Sequence, residues 1–156
     1  MSEIKNLLTE AMNSELEAKK FYNDAAEKAL SQAGKNLFSQ LAEFEQNHYE
    51  KVKKIIESLD TKIEMKLIHS QDITKKINPE IQGEIEPNKD EIVTVIHLAI
   101  QSEKKAQERY TRIAEMLKGE DNKKIFYNLA QDERNHQKIL EDEFYHLSNK
   151  GIIIWD

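Results

Sequence analysis

Apolar residues recur every three or four positions in four long stretches of the chain, which is the spacing of one face of an α-helix. The pattern predicts helices at about residues 3–30, 35–59, 90–118 and 122–147. It breaks down at about 60–89, where both prolines lie. This stretch is long enough to return along a helix, so the second and third helices can run parallel. The predicted fold is all-α: a four-helix bundle of two helical hairpins joined by one long crossover.

Six polar residues interrupt the apolar faces near the middle of the helices. Two helices contain the pattern Glu-x-x-His, and residues at i and i+3 share one helix face. Two more glutamates each lie 30 residues before the glutamate of one of these motifs. One such motif alone is common and usually has no function, but two motifs in register with two inward glutamates are far less expected by chance. The six residues are Glu15, Glu45, His48, Glu103, Glu133 and His136.

The two halves of the chain align without a gap when the sequence is shifted by 88 residues. Of the 49 positions from 11 to 59, 15 meet the identical residue type. All six polar residues belong to this matched set, and so do Tyr22 and Tyr110. The repeat predicts two related hairpins that face each other across a pseudo-two-fold axis. A long period repeated only twice does not indicate a solenoid.

The chemistry of the six residues points to metal ions. An unpaired buried carboxylate costs several kcal/mol, and four close together repel one another. Protons could neutralise some of them, but two cations would do so more completely. Carboxylate and imidazole ligands suit iron, manganese or zinc. Four helices that supply Glu, Glu-x-x-His, Glu and Glu-x-x-His also form the ligand set of di-iron and di-manganese carboxylate bundles.

Three further residues could support such a centre. Tyr22 and Tyr110 each follow an inward glutamate by seven residues, or two helical turns. They are either core aromatics or hydroxyls that orient a ligand carboxylate and pass a proton or an electron, and we assign them to the catalytic set. Asp132 could accept the free N–H of a ligating histidine, whereas its counterpart in the repeat, Phe44, could not.

Composition sets wider bounds. A length of 156 residues predicts one domain over residues 1–156, and the net charge of −6 disfavours a nucleic-acid partner. The absence of cysteine excludes disulfides and thiolate metal sites. We find no signal peptide and no apolar run of about 20 residues, so we expect a cytoplasmic protein with no membrane contact. The apolar segment 152–155 should pack on the bundle or on another subunit, which would suit a homodimer, including a domain-swapped one.

The same residues resemble the rubrerythrin family of the ferritin-like superfamily. The resemblance lies in four segments: Glu15 to Tyr22, Ala42 to His48, Glu103 to Tyr110, and Asp132 to His136. It implies a ferritin-like bundle with two non-haem iron ions, bridged by Glu45 and Glu133. The terminal ligands would be Glu15, His48, Glu103 and His136. Such sites reduce hydrogen peroxide, or react with dioxygen, using electrons from a partner protein.

Two departures from the family pattern leave alternatives open. Typical rubrerythrins append a rubredoxin-like domain with four iron-binding cysteines, so this chain would need an external electron-donor protein. They also carry a third-helix glutamate at the position of Ala106, which accompanies peroxide turnover. The alternative function is therefore a ferroxidase or iron-handling protein. A dimanganese site with catalase-like activity is more remote, and a bundle with vestigial ligands would leave four inward carboxylates unexplained.

Overall fold

The computed structural model describes residues 2–61 and 83–155. It confirms an all-α four-helix bundle and adds one pair of short antiparallel strands. In chain order the elements are α1 (Ser2–Lys28), α2 (Gln32–Thr61), β1 (Glu84–Ile85), α3 (Lys89–Met116), α4 (Glu120–Lys150) and β2 (Ile152–Ile153). Most of the predicted crossover, residues 62–82, lies outside the described residues. No helix in the described part has an apolar stretch long enough to cross a bilayer.

The helices pack as two hairpins, α1 with α2 and α3 with α4. Tyr22 of α1 contacts Glu103 of α3, and Tyr110 of α3 contacts Glu15 of α1. Because these pairs run in opposite chain order, α1 and α3 are antiparallel. Since α1 is also antiparallel to α2, helices α2 and α3 run parallel, as the sequence predicts.

The apolar core is divided into two clusters by the layer of polar residues. One cluster lies towards the α1–α2 connection and includes Phe38 and Leu140. The other lies towards the α3–α4 connection and includes Leu8 and Phe126. On every helix, the predicted ligand residues stand between residues of these two clusters. The bundle therefore holds its charged layer away from water on both sides.

Helix α2 begins three residues before the predicted position 35, and distant side chains explain the difference. The first N–H groups of a helix have no partner within the helix and attract carboxylates. Glu86 accepts hydrogen bonds from the backbone of Leu30 and Ser31, and Glu84 accepts them from the next two residues. Glu86 is buried, which alone would raise its pKa, but hydrogen bonds led by the N–H of Asn88 lower the pKa instead.

The other helix ends also differ from the predicted bounds. The first helix ends at Lys28 rather than near 30, and α3 ends at Met116 rather than near 118. Helix α4 starts at Glu120, directly after Gly119, whose φ is 93°. It continues to Lys150, beyond the predicted 147, and ends at Gly151 with φ 68°, where glycine adopts the left-handed conformation without strain.

The C-terminal segment packs on the bundle of its own chain. Strand β2 pairs with β1, and the side chains of Ile153 and Trp155 are buried. The backbone N–H of Ile154 donates to the buried carboxylate of Glu143 over 3.0 Å. The tail thereby fixes the last described part of the crossover against α4.

Candidate metal centre

The structure brings all six predicted ligand residues together in the polar layer. Each is at most 2% exposed. They form two overlapping groups in which one potential ligand atom per residue lies within 4.8 Å of every other. Glu45 and Glu133 belong to both groups, as expected for bridging carboxylates. The first group adds Glu15 and His48, and the second adds Glu103 and His136.

Both histidines direct Nδ1 towards the shared carboxylates. His48 Nδ1 lies 2.7 Å from Glu133 Oε1 and 3.7 Å from Glu15 Oε1. His136 Nδ1 lies 3.5 Å from Glu45 Oε1 and 3.7 Å from Glu103 Oε1. Each histidine therefore faces one glutamate of the other hairpin and one glutamate of its own hairpin. The i, i+3 spacing on α2 and α4 places glutamate and histidine on the same inward face.

The six side chains satisfy one another's polar atoms incompletely, and their remaining atoms are suitable ligands for cations. Each of the six residues has at least one buried polar atom that makes no hydrogen bond with the residues that the structure describes, although two of these atoms, His48 Nδ1 and Glu133 Oε1, lie 2.7 Å apart. Such orphaned atoms are rare in protein interiors because each loses its interaction with water. Four carboxylates and two imidazoles with inward lone pairs match the oxygen and nitrogen ligands of iron, manganese or zinc. The atoms without a hydrogen bond in these residues are Glu15 Oε2, Glu45 Oε1, His48 Nδ1, Glu103 Oε2, Glu133 Oε1, and both Nδ1 and Nε2 of His136.

The electrostatics separate the two shared glutamates from the two outer ones. Burial and the repulsion of neighbouring carboxylates raise the pKa of Glu45 and Glu133 well above its usual value. Burial also opposes ionisation of Glu15, but contacts with Glu45, His48 and Tyr110 outweigh it and lower its pKa to about 2. The pKa shifts therefore have opposite directions: protonation is favoured at the shared Glu45 and Glu133, and ionisation is favoured at the outer Glu15 and Glu103.

His48 has a hydrogen-bond partner on the side that faces away from the centre. Its Nε2 lies 3.1 Å from Oδ2 of Asp132, which is the contact anticipated from the sequence. Burial lowers the pKa of His48, but Asp132 and Glu15 together outweigh burial and raise the pKa to about 10. When the proton on Nδ1 is lost, the hydrogen that stays on Nε2 faces Asp132, and the Nδ1 lone pair is directed towards the shared glutamates.

The two predicted tyrosines each hold an outer carboxylate of the opposite hairpin. Tyr22 donates a 2.6 Å hydrogen bond to Glu103, and Tyr110 donates one to Glu15. Burial and the nearby carboxylates raise the pKa of both phenols well above 10, so both remain protonated donors. The tyrosines are therefore placed to orient ligands, while a direct role in catalysis stays a prediction.

A cavity of about 290 Å³ connects the centre with the surface between α1 and α3. All four glutamates of the centre line its inner part, and exposed Leu98 lines its outer part. The small side chains of Ala18 and Ala106, which are counterparts in the repeat, leave the passage open. Arg109 also lines the cavity, and the sequence pattern gave no reason to single it out.

The helix arrangement and the buried donor set define a four-helix bundle with a carboxylate-rich centre that could bind two metal ions. The family model described as Rubrerythrin matches residues 6–144. The chain therefore belongs to the rubrerythrin family, in agreement with the resemblance found in the sequence.

One solved structure supports the fold independently. The chain is 28% identical to "Hypothetical Protein Pfu-1136390-001" from Pyrococcus furiosus, with a TM-score of 0.73. The match covers 96% of this chain and 94% of that one. No curated protein matches the sequence.

Proposed function

We propose that the protein is a non-haem di-iron oxidoreductase that reduces hydrogen peroxide or dioxygen with electrons from a separate carrier protein. The observation that carries the proposal is the set of six buried side chains whose potential ligand atoms converge in two overlapping groups, each residue having at least one polar atom without a hydrogen bond among the described residues. Membership of the rubrerythrin family supports iron as the metal. Manganese and zinc are compatible with the same ligands.

In this proposal Glu45 and Glu133, which belong to both groups, would be shared by the two ions, and each of the other four residues would hold one ion. Glu15 and His48 complete the first position, and Glu103 and His136 complete the second. A bound pair of iron ions would supply two electrons to the O–O bond. Bound cations would favour the ionised form of the shared glutamates, whose pKa is raised by burial and by the neighbouring carboxylates.

The surroundings of the six residues suit the binding of a small oxidant. Tyr22 and Tyr110 hold the outer carboxylates in place and keep a hydrogen on each phenol oxygen beside the site. The cavity between α1 and α3 gives peroxide or dioxygen a route to the glutamates. The apolar clusters on either side exclude bulk water from the other directions.

The test is stepwise turnover without oxygen. The protein would be loaded with Fe(II), treated with one equivalent of hydrogen peroxide, and followed by its absorption spectrum. It would then receive a chemical reductant and a second equivalent. We expect complete oxidation in both rounds, with Glu45→Ala as the control that loses the centre. Oxidation in the first round without any second turnover would reject peroxide reduction.

The alternative is a ferroxidase or iron-handling protein without peroxide turnover. One observation favours it: Ala106 lines the cavity at the position where typical family members carry an additional glutamate. Aerobic loading with Fe(II) would distinguish the two functions. Accumulation of iron far above two ions per chain would support iron handling, whereas retention of two ions together with repeated peroxide turnover would support the oxidoreductase.

A further inference from the structure

The two histidines of the centre differ on the side that faces away from the shared glutamates. His48 Nε2 has the Asp132 carboxylate at 3.1 Å, and both residues are buried. For His136 Nε2 there is no hydrogen-bond partner among residues 2–61 and 83–155. Instead the ring of Phe44 stands edge to face against it, with 4.4 Å between ring centroids.

This difference arises from a mismatch in the repeat. Phe44 and Asp132 occupy the same position in the two halves, each directly before a shared glutamate. Each of these residues contacts the histidine of the other hairpin, and the Phe44 ring also packs edge to face on His48, with 5.2 Å between ring centroids. The two histidines therefore share the aromatic contact, and the carboxylate of Asp132 distinguishes His48 from His136.

A carboxylate behind a ligating imidazole strengthens metal binding in two ways. It fixes the ring and the tautomer, so that the ligating nitrogen already presents its lone pair. Its negative charge also attracts a doubly charged ion more strongly than the single proton that the ion displaces. Loss of such a partner typically weakens metal affinity by about 10- to 100-fold. Phe44 offers neither effect to His136.

We propose that Asp132 is a positioning residue that makes the two metal positions unequal. The position formed by Glu15, His48 and the two shared glutamates fills first and binds more tightly. The position that contains Glu103 and His136 fills second. This inference rests on the proposed metal centre, but it concerns the order of loading rather than the reaction.

The experiment is an anaerobic titration of the metal-free protein with Co(II), followed by calorimetry and by visible absorption. Wild-type protein should show two steps whose dissociation constants differ by about 10- to 100-fold. His136→Ala should keep the tight step and lose the weak one. Asp132→Asn, which removes the charge at nearly constant shape, should weaken the tight step and bring the two constants together.

The repeat supplies a matched gain-of-function variant. Phe44→Asp places the counterpart carboxylate beside His136 and should tighten the second step towards the first. Phe44→Leu removes the ring without adding an acceptor and should leave the gap between the steps unchanged. Circular dichroism and thermal unfolding would verify that each variant is folded, and the Asp132→Asn result tests the proposal independently if Phe44→Asp does not fold.

Three results would overturn the inference. Two equal steps in the wild type would show that Asp132 does not distinguish the positions. An unchanged gap in folded Asp132→Asn would assign the difference to another cause. Tight binding that survives His48→Ala but not His136→Ala would reverse the order. Complete failure of the wild type to bind Co(II) would instead contradict the metal centre itself, so the two proposals fail in distinguishable ways.

Discussion

The two hairpins are nearly equivalent at the centre and clearly different at their connections. Both supply one outer glutamate, one Glu-x-x-His motif and one tyrosine to the polar layer. At the connections, α2 starts beneath the carboxylates of Glu84 and Glu86, whereas α4 starts after Gly119 with no side-chain cap. The contrast indicates that the chemistry of the centre constrains the duplicated part of the chain, whereas the starts of α2 and α4 are stabilised in different ways.

The largest expected effect tests the equivalence of the two hairpins. Glu45→Ala and Glu133→Ala should each abolish binding of both ions, because each glutamate serves both positions. Glu15→Ala and Glu103→Ala should each remove only one. Equilibrium dialysis with Co(II) would measure the stoichiometry, with exposed Glu17→Ala as the control that retains two ions. Full binding by Glu45→Ala would contradict the assignment of shared ligands.

The next effect concerns protons that the cations must displace. Burial and neighbouring carboxylates raise the pKa of Glu45 and Glu133, and contacts led by Asp132 raise the pKa of His48 to about 10, so cations must compete with protons for these groups. Each displaced proton makes the apparent affinity rise by about tenfold per pH unit until the group ionises. Chelator competition at several pH values between about 6 and 8 should show tighter binding at higher pH. An affinity that does not change with pH would contradict this competition between cations and protons.

A smaller effect tests the difference between the connections. Glu86→Ala removes the acceptor for several N–H groups at the start of α2 and should lower the free energy of unfolding by about 2 kcal/mol. Asp121→Ala, in the first turn of α4, should change it by less than about 0.5 kcal/mol. Urea unfolding of both variants provides the measurement, and equal losses would show that the carboxylate cap has no special role.

The contribution of Glu86 to the free energy of unfolding should depend on pH. Its pKa is lowered in the folded protein, so the stabilisation is present above the unfolded value of 4.5 and is lost as the pH falls below it. The difference between wild type and Glu86→Ala should therefore shrink in acid.

The smallest effect tests the symmetry of the tyrosines. Tyr22→Phe and Tyr110→Phe each remove one hydrogen bond to an outer carboxylate and should each lower the free energy of unfolding by about 1 kcal/mol. Both variants should still bind two ions. Urea unfolding in the metal-free state would measure the pair, and a loss confined to one variant would break the proposed equivalence.

The sequence predicts the helices and the polar layer well because both depend on local periodicity. An inward position in a helix is set by residues three or four places away, so the spacing of Glu45 and His48 is enough to place them on one face. The repeat then predicts that Glu133 and His136 occupy the corresponding positions in the second half. The sequence also indicated Asp132 as an acceptor for a ligating histidine, but the structure was needed to show that the histidine is His48.

Other features depend on contacts between distant parts of the chain. The start of α2 is fixed by Glu84 and Glu86, more than 50 positions further along, and no local pattern around residue 32 indicates them. The hydrogen bond from Tyr22 to Glu103 spans 81 residues, and its partner depends on which helices are neighbours. The cavity was not predicted because it depends on the spacing between α1 and α3.

The crossed tyrosine bonds mean that neither hairpin is self-sufficient. Tyr22 donates a hydrogen bond to a glutamate of the second hairpin, and Tyr110 donates one to a glutamate of the first. A lone hairpin would carry a phenol with no carboxylate to hold and a carboxylate with no phenol. In a symmetric dimer of two identical hairpins, each tyrosine could donate to a glutamate of the other copy. Duplication and fusion of one hairpin would therefore give the arrangement seen here.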